Sequence, residues 1–300
     1  MPSIIGAMGP HTILGESPIW DHRSNHLVWV DIDGCQVFRW SWSEDALQVR
    51  ESPGRPGCIA LTSDPDVLLI ASEHRIGLLH WPTGKVDWKV HLPIEQASVR
   101  LNDGRVSPTG DFWVGSMHVP GSDRRFIGSI YRLRPDWSWE VRVTEVGVAN
   151  ALTAVGDDML WGDTLHRACW LMSQAQPPGS PPITSASSVA LIDFDAIGLP
   201  GGPDGACRDA AGHIWLACVH GGALAQLTAE GVLLDRLDLP VRRPTCPAFG
   251  GPGLDTLFLT TIGGGGNYPV FDDEPDAGRV IMIDAGVRGV PEQIFQPTRI

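Results

Sequence analysis

Several polar side chains stand at a fixed distance from the apolar centres of this chain. Short apolar runs are centred on Trp29, Leu69, Trp113, Trp161, Trp215 and Phe258. Asn102, Asn150 and Asp204 each lie 11 residues before one of these centres, and Cys58 holds the same place before Leu69. Longer turns put Glu16 and Thr245 at 13 residues before Trp29 and Phe258. Equal phase in a repeat means equivalent positions in space, so Glu16, Asn102, Asn150 and Asp204 are expected to converge. Two carboxylates crowded together repel, and desolvating them costs on the order of several kcal/mol. A divalent cation removes that cost. Oxygen-only donors suit Ca²⁺, Mg²⁺ or Mn²⁺, and Zn²⁺ and Fe²⁺ stay within the choice. Taken singly, Asn102-Asp103-Gly104 and Pro203-Asp204-Gly205 are ordinary turn sequences. The shared phase is what argues for a site.

Arg100 joins this group because residues i and i+2 of an extended strand share a face. Its guanidinium offers fixed donors to a substrate oxygen. The structural alternative is an ion pair with Asp103 or Glu95. His118 and His220 follow the central strands of their repeats, so either reaches toward the same place. Gly263 to Gly266 reads as a flexible rim or a lid. No H-E-x-x-H and no G-x-S-x-G is present, so zincin and serine-hydrolase chemistry find no support.

The elements that must position these groups come from the repeat itself. The six apolar centres recur at intervals of 40 to 54 residues. Each unit reads as short strands of four to seven residues bounded by Gly, Pro and Asp. Four short antiparallel strands per unit, repeated around an axis, make a β-propeller, here six-bladed and all-β. In such a ring the first strand of each blade lies nearest the axis, which brings the phased residues to one mouth of the central channel. A single domain over residues 1–300 is expected. The stretch from Ile4 to Leu14 should close the ring by pairing with the last blade around Arg279 to Asp284, so that no strand edge is left open. Trp29, Trp113, Trp161 and Trp215 lie mid-strand and suit packing between blades better than sugar stacking. Pro-rich Gln176 to Pro182 is a surface insertion.

Composition narrows the function classes. Hydrophobic residues are 43% and charged residues 19%, which is globular. The net charge is −13 with no Lys/Arg cluster, which argues against nucleic acid and against anionic membranes. No apolar run reaches the roughly 18 residues of a membrane span, and the N-terminus lacks a secretory pattern, so a cytoplasmic chain is expected. The six cysteines form no C-x-x-C pair and read as buried free thiols, with Cys207 and Cys218 the one bridge to check.

The same residues carry a resemblance. Leu14-Gly15-Glu16-Ser17-Pro18-Ile19-Trp20, Arg100-Leu101-Asn102-Asp103-Gly104, Gly110 to Met117, Pro203-Asp204-Gly205 and Arg243 to Gly251 make the chain similar to the SMP-30/gluconolactonase family of sugar-lactone lactonases. The resemblance implies a six-bladed propeller holding one divalent metal ion on Glu16, Asn150 and Asp204. It also implies substrate contacts from Arg100 and Asn102, with His118 near the substrate. The implied partner is a small sugar lactone, hydrolysed to the aldonic acid. The metal would polarise the carbonyl, and Asp204 would act as both ligand and general base, a role for which metal hydroxide competes. Two other functions share the scaffold: a metal-dependent esterase or organophosphate hydrolase, and a non-enzymatic calcium-binding propeller. The chain departs from the family at Ala151, where Gly commonly follows the amide ligand, and at Ser107, where Asp is frequent.

Overall fold

The computed structural model describes residues 2–119 and 125–298. Six small sheets are arranged around one axis as a six-bladed β-propeller. The innermost strands are Gly15–Asp21, Pro56–Thr62, Val99–Val106, Ala149–Val155, Gly202–Arg208 and Pro244–Gly250. Each packs against the innermost strand of the next blade, and the sixth returns to the first. From these, each blade steps outward through three more antiparallel strands. The inner strands are buried along almost their whole length. The outermost strands, such as Ala46–Glu51 and Leu233–Asp238, alternate or lie open to solvent. That gradient explains why the apolar centres were the readable signal. They are second strands, buried on both faces and flanked by turns.

The sixth blade is completed from the other end of the chain. Ser3–Met8 pairs antiparallel with Val280–Asp284, from Ser3 opposite Asp284 to Met8 opposite Val280. This strand is shorter than the stretch of residues 4–14, because Gly9 turns the backbone at φ +75° and the chain then crosses to the hub. The second blade gains a fifth strand, Ile294–Phe295, which runs parallel to Pro56–Thr62. Among the described residues no helix is long and apolar enough to cross a membrane.

Trp29, Trp113, Trp161 and Trp215 are buried to 1% exposure or less and belong to the apolar packing within and between blades. All six cysteines are free thiols; five are buried, and Cys35 is half-exposed. Cys207 sits opposite Trp215 and Cys218 opposite Pro203, so the two do not face each other across their hairpin. The Pro-rich stretch at 176–182 is a mostly exposed loop that separates the third and fourth strands of the fourth blade.

Candidate active site at the channel mouth

Every inner strand is interrupted by an irregularity near its start; in the second blade it is the single residue Gly57, before Cys58, and in the other five a two-residue β-bulge comes in one of two registers. In the third, fifth and sixth blades, two residues stand opposite one on the next strand: Asn102-Asp103, Asp204-Gly205 and Thr245-Cys246. In the first and fourth blades, which face each other across the ring, the bulge comes later, at Ser17-Pro18 and Ala151-Leu152. Glu16 and Asn150 are there the last paired residues before it. Both are followed by a left-handed residue, Ser17 at φ +48° and Ala151 at φ +56°. A bulge re-aims side chains where a regular strand would keep alternating them. Groups within the bulges bond to neighbouring blades. The Leu152 amide donates to Asp103 Oδ2 at 2.8 Å, the Ile59 amide donates to Ser17 Oγ at 3.0 Å, and Thr245 Oγ1 donates to the Gly15 carbonyl at 2.5 Å.

This arrangement brings Glu16, Arg100, Asn102, Asn150 and Asp204 into one cavity of about 340 Å³ at the channel mouth. The five are at most 6% exposed. Thr245 and Cys58, at the equivalent phase in the other two blades, are buried in the ring and do not line the cavity. A continuous hydrogen-bond chain crosses three blades. Arg100 Nη1 donates to the Leu101 carbonyl at 2.9 Å and to Asn102 Oδ1 at 2.6 Å. Asn102 Nδ2 donates to Asn150 Oδ1 and to the Ala149 carbonyl, each at 2.9 Å. Asn150 Nδ2 donates to Thr164 Oγ1 at 2.9 Å, which donates on to the Pro203 carbonyl at 2.7 Å. Neither Asp103 nor Glu95 is the partner of Arg100; its charge is turned toward the amides instead.

The electrostatics of the two carboxylates are unfavourable as they stand. Burial pushes the Glu16 carboxyl up to about 8, and the charge of Asp103 adds to the rise. The Ser17 amide, donating to Glu16 Oε2 at 2.8 Å, and a hydrogen bond with Asp204 pull the other way without cancelling it. Asp204 is raised well above the usual carboxylate range by burial first and by Glu16 and Asp103 next. Two carboxyls that hydrogen-bond to each other must share a proton.

The donor set fits a hard divalent cation. It offers two carboxylates that repel when both are ionised and the Asn150 amide oxygen, which has a second lone pair beyond the one used by Asn102. Among the described residues no three His, Cys, Asp or Glu side chains are grouped to hold a metal by themselves.

His118 and His220 both line the cavity. The Gly263–Gly266 run does not. Gly265 instead pairs with Tyr268, each amide donating to the other's carbonyl at 3.0 Å, and it is Tyr268 that faces the cavity. Sequence reasoning missed Tyr268, although it is one of two tyrosines in the chain and stands two residues after the glycine run. It also missed Thr164, Arg125 and Arg167, which line the cavity. Thr164 was findable. It stands three residues after Trp161, as Ile32 does after Trp29, where second strands end at the mouth.

Comparison with known proteins adds a family and relatives. The family model described as SMP-30/Gluconolactonase/LRE-like region matches residues 14–263. The chain is 31% identical to a 6-deoxy-6-sulfogluconolactonase of Pseudomonas putida, over 95% of each chain. It is 30% identical to an L-arabinolactonase of Azospirillum brasilense, over 95% of this chain and 93% of the relative. Among solved structures it is similar to a calcium-binding protein, regucalcin, from Agrobacterium tumefaciens, at a TM-score of 0.83 and 26% identity over 97% of this chain and 95% of that one.

Proposed function

The chain belongs to the SMP-30/gluconolactonase/LRE-like family, and from that premise we propose that it is a metal-dependent sugar lactonase, opening an aldonolactone to its aldonic acid. The observation that carries the reading is the buried Glu16–Asp204 pair set beside the Arg100–Asn102–Asn150 chain at the base of one cavity. Relatives named for two different sugar lactones support the substrate class.

Glu16, Asn150 and Asp204 would hold the ion. A divalent cation, when bound, neutralises the carboxylates and polarises a carbonyl oxygen as a Lewis acid. Arg100 has five N–H donors, and Nη1 alone is committed to Asn102 and the Leu101 carbonyl, so the guanidinium keeps donors for the lactone's oxygens. Asn102 is locked on both sides and holds that guanidinium in place. Asp204 accepts a proton from the attacking water at its carboxylate oxygen as the new C–O bond forms. When the ring C–O bond breaks, the same proton passes to the departing alkoxide, which becomes a hydroxyl of the product.

The test is a panel of five- and six-membered aldonolactones offered to metal-stripped protein with single ions added back, acid release being followed by a pH indicator. Ion-dependent turnover of at least one aldonolactone, faster than that of an aryl ester, is the expected result. Full activity after exhaustive chelation, or a preference for the aryl ester, overturns the reading. Calcium binding without turnover of any member of the panel also overturns it, in favour of a binding role.

A further inference from the structure

We propose that the lactone taken by this site is an anionic one, carrying a phosphate, sulfonate or carboxylate on the carbon remote from the lactone carbonyl. The inference rests on the lactonase reading and concerns the part of the cavity that reading leaves unused.

The charges lining the cavity are divided by position. Glu16 and Asp204 at its base are its only acids among the described residues. Apart from the Tyr268 phenol, every other ionisable group is basic: Arg100, His118, Arg125, Arg167 and His220. Arg100 serves the base. The remaining four form an arc over consecutive blades. His118 ends Phe112–His118, and Arg125 lies in the connection that follows it. Arg167 lies in the turn between Asp158–Asp163 and Ala168–Ser173, and His220 in the turn between Ile214–Val219 and Ala223–Leu227. The facing wall, from the first and sixth blades, presents Leu14, Ile32, Ile262 and Tyr268 and no charge.

A neutral sugar needs acceptors as well as donors, because each hydroxyl offers a proton. Among the described residues the lining of this arc includes no carboxylate acceptor, and guanidinium groups are donors alone. An anionic group, which has only acceptor oxygens, matches it. The arc is also a local reversal of charge on a chain whose net charge is −13 and which repels anions elsewhere.

The arc is held in place. The Phe126 ring packs at a tilt of 51° with its centroid 4.5 Å from that of His166, which bonds Asp163 Oδ2 at 2.7 Å, and this holds the chain next to Arg125. Arg167 pairs with Asp195 at 2.9 Å, but Asp195 is 76% exposed. Such a pair is worth about 0–1 kcal/mol, so it orients the guanidinium without spending it. The His118 Nδ1 atom is buried and has no hydrogen-bond partner among the described residues. A left-handed backbone recurs at the corresponding turns of four blades, at Cys35, Glu73, Arg167 and His220. The repeat therefore supplies the turn, and the basic side chain is particular to the blades that form the arc.

The experiment compares the metal-loaded full chain on glucono-lactone, its 6-phosphate and its 6-deoxy-6-sulfo analogue, with the spontaneous rate subtracted. The expected result is a kcat/KM at least about tenfold higher for an anionic lactone, with its KM rising as salt increases and screens the arc. The two anionic lactones separate a phosphate from a sulfonate preference. Arg125→Ala and Arg167→Ala should each lower the anionic-to-neutral ratio of kcat/KM about tenfold, and Arg167→Lys should restore part of it. A ratio near one in the unaltered protein, insensitive to salt, overturns this inference and leaves the lactonase reading standing. Failure to open any of the three lactones overturns both.

Discussion

The two ends of the central channel hold the same kinds of charge in opposite balance. At the mouth, Glu16 and Asp204 lie against each other, and the nearest guanidinium is committed to amide and carbonyl oxygens. At the floor, three residues further along the inner strands, Arg105 pairs with Glu292 and donates to the Ala206 carbonyl at 2.9 Å. Burial alone would depress the Arg105 guanidinium, and the charge of Glu292 together with smaller contributions such as that of Asp103 outweighs it and raises the group. The cavity there is only about 40 Å³ and is capped by residues 290–293. The chain supplies its own counter-charge at the floor and leaves the mouth short of one. Buried polar groups that a fold satisfies by itself stabilise it; those it leaves unsatisfied are where an external ion or substrate enters the energy balance.

The largest expected effect tests that division directly. Asp204→Asn should lower kcat/KM about 10³-fold, the scale of a lost general base. Apart from any ion, it should also raise the melting temperature, since one of two repelling carboxylates is gone. Glu292→Gln at the floor should do the reverse. It strands the Arg105 charge and should cost about 2 kcal/mol, less than a fully buried pair because Glu292 keeps some contact with water. Its kcat should stay within about twofold of the unaltered protein. Melting curves and steady-state rates on the two variants are the measurement. A floor variant that loses activity at unchanged stability would break the comparison.

A smaller effect follows from pH. The folded Glu16 carboxyl titrates near 8, against an ordinary value of 4.5, so between those values the folded ion-free protein holds more protons than the unfolded chain. The stability that this group contributes is therefore full below about pH 4.5 and is lost as pH rises toward 8. A cation takes the place of the shared proton and competes with it. The rise in melting temperature on adding Ca²⁺ should be larger at pH 8 than at pH 6, with protons released on binding. Calorimetry in two buffers of different ionisation enthalpy counts those protons. An equal rise at both pH values, with no release, would mean that the ion does not bind at these carboxylates.

How much of this was legible in the sequence depends on the physical origin of each feature. The ring and its blades were legible because second strands buried on both faces must be apolar and must recur. Glu16 and Asn150 were reached by counting to a common phase, but the counting hid a difference. Their blades carry the bulge later than the others do, so they occupy a different register from Asn102 and Asp204. A bulge shifts position by one residue and leaves no mark in hydrophobic periodicity. Tyr268, Arg125 and Arg167 were not legible because they sit on connections, where no period exists to place them. The Ser107 departure changes only local detail, as its amide donates to the Asp111 carbonyl at 2.8 Å within a turn.

The smallest expected effect concerns the other departure. Ala151 is fully buried and holds φ +56°, a conformation that costs a residue with a Cβ roughly 1–2 kcal/mol. Glycine would remove that strain, but it gives the unfolded chain more freedom, worth about 0.4–1 kcal/mol, and vacates the space of one buried methyl. Ala151→Gly should therefore stabilise the fold by no more than about 1 kcal/mol. What happens to activity decides how Asn150 is aimed. Its two polar side-chain atoms are held by Asn102 on the inner strand of the third blade and by Thr164 just past the second strand of its own blade. If those bonds do the aiming, kcat/KM should stay within about twofold, whereas Thr164→Val should lower it several-fold more. A tenfold loss in the glycine variant with Thr164→Val neutral would instead assign the aim to the strained backbone, and the first and fourth blades would then differ from the rest in mechanism as well as in register.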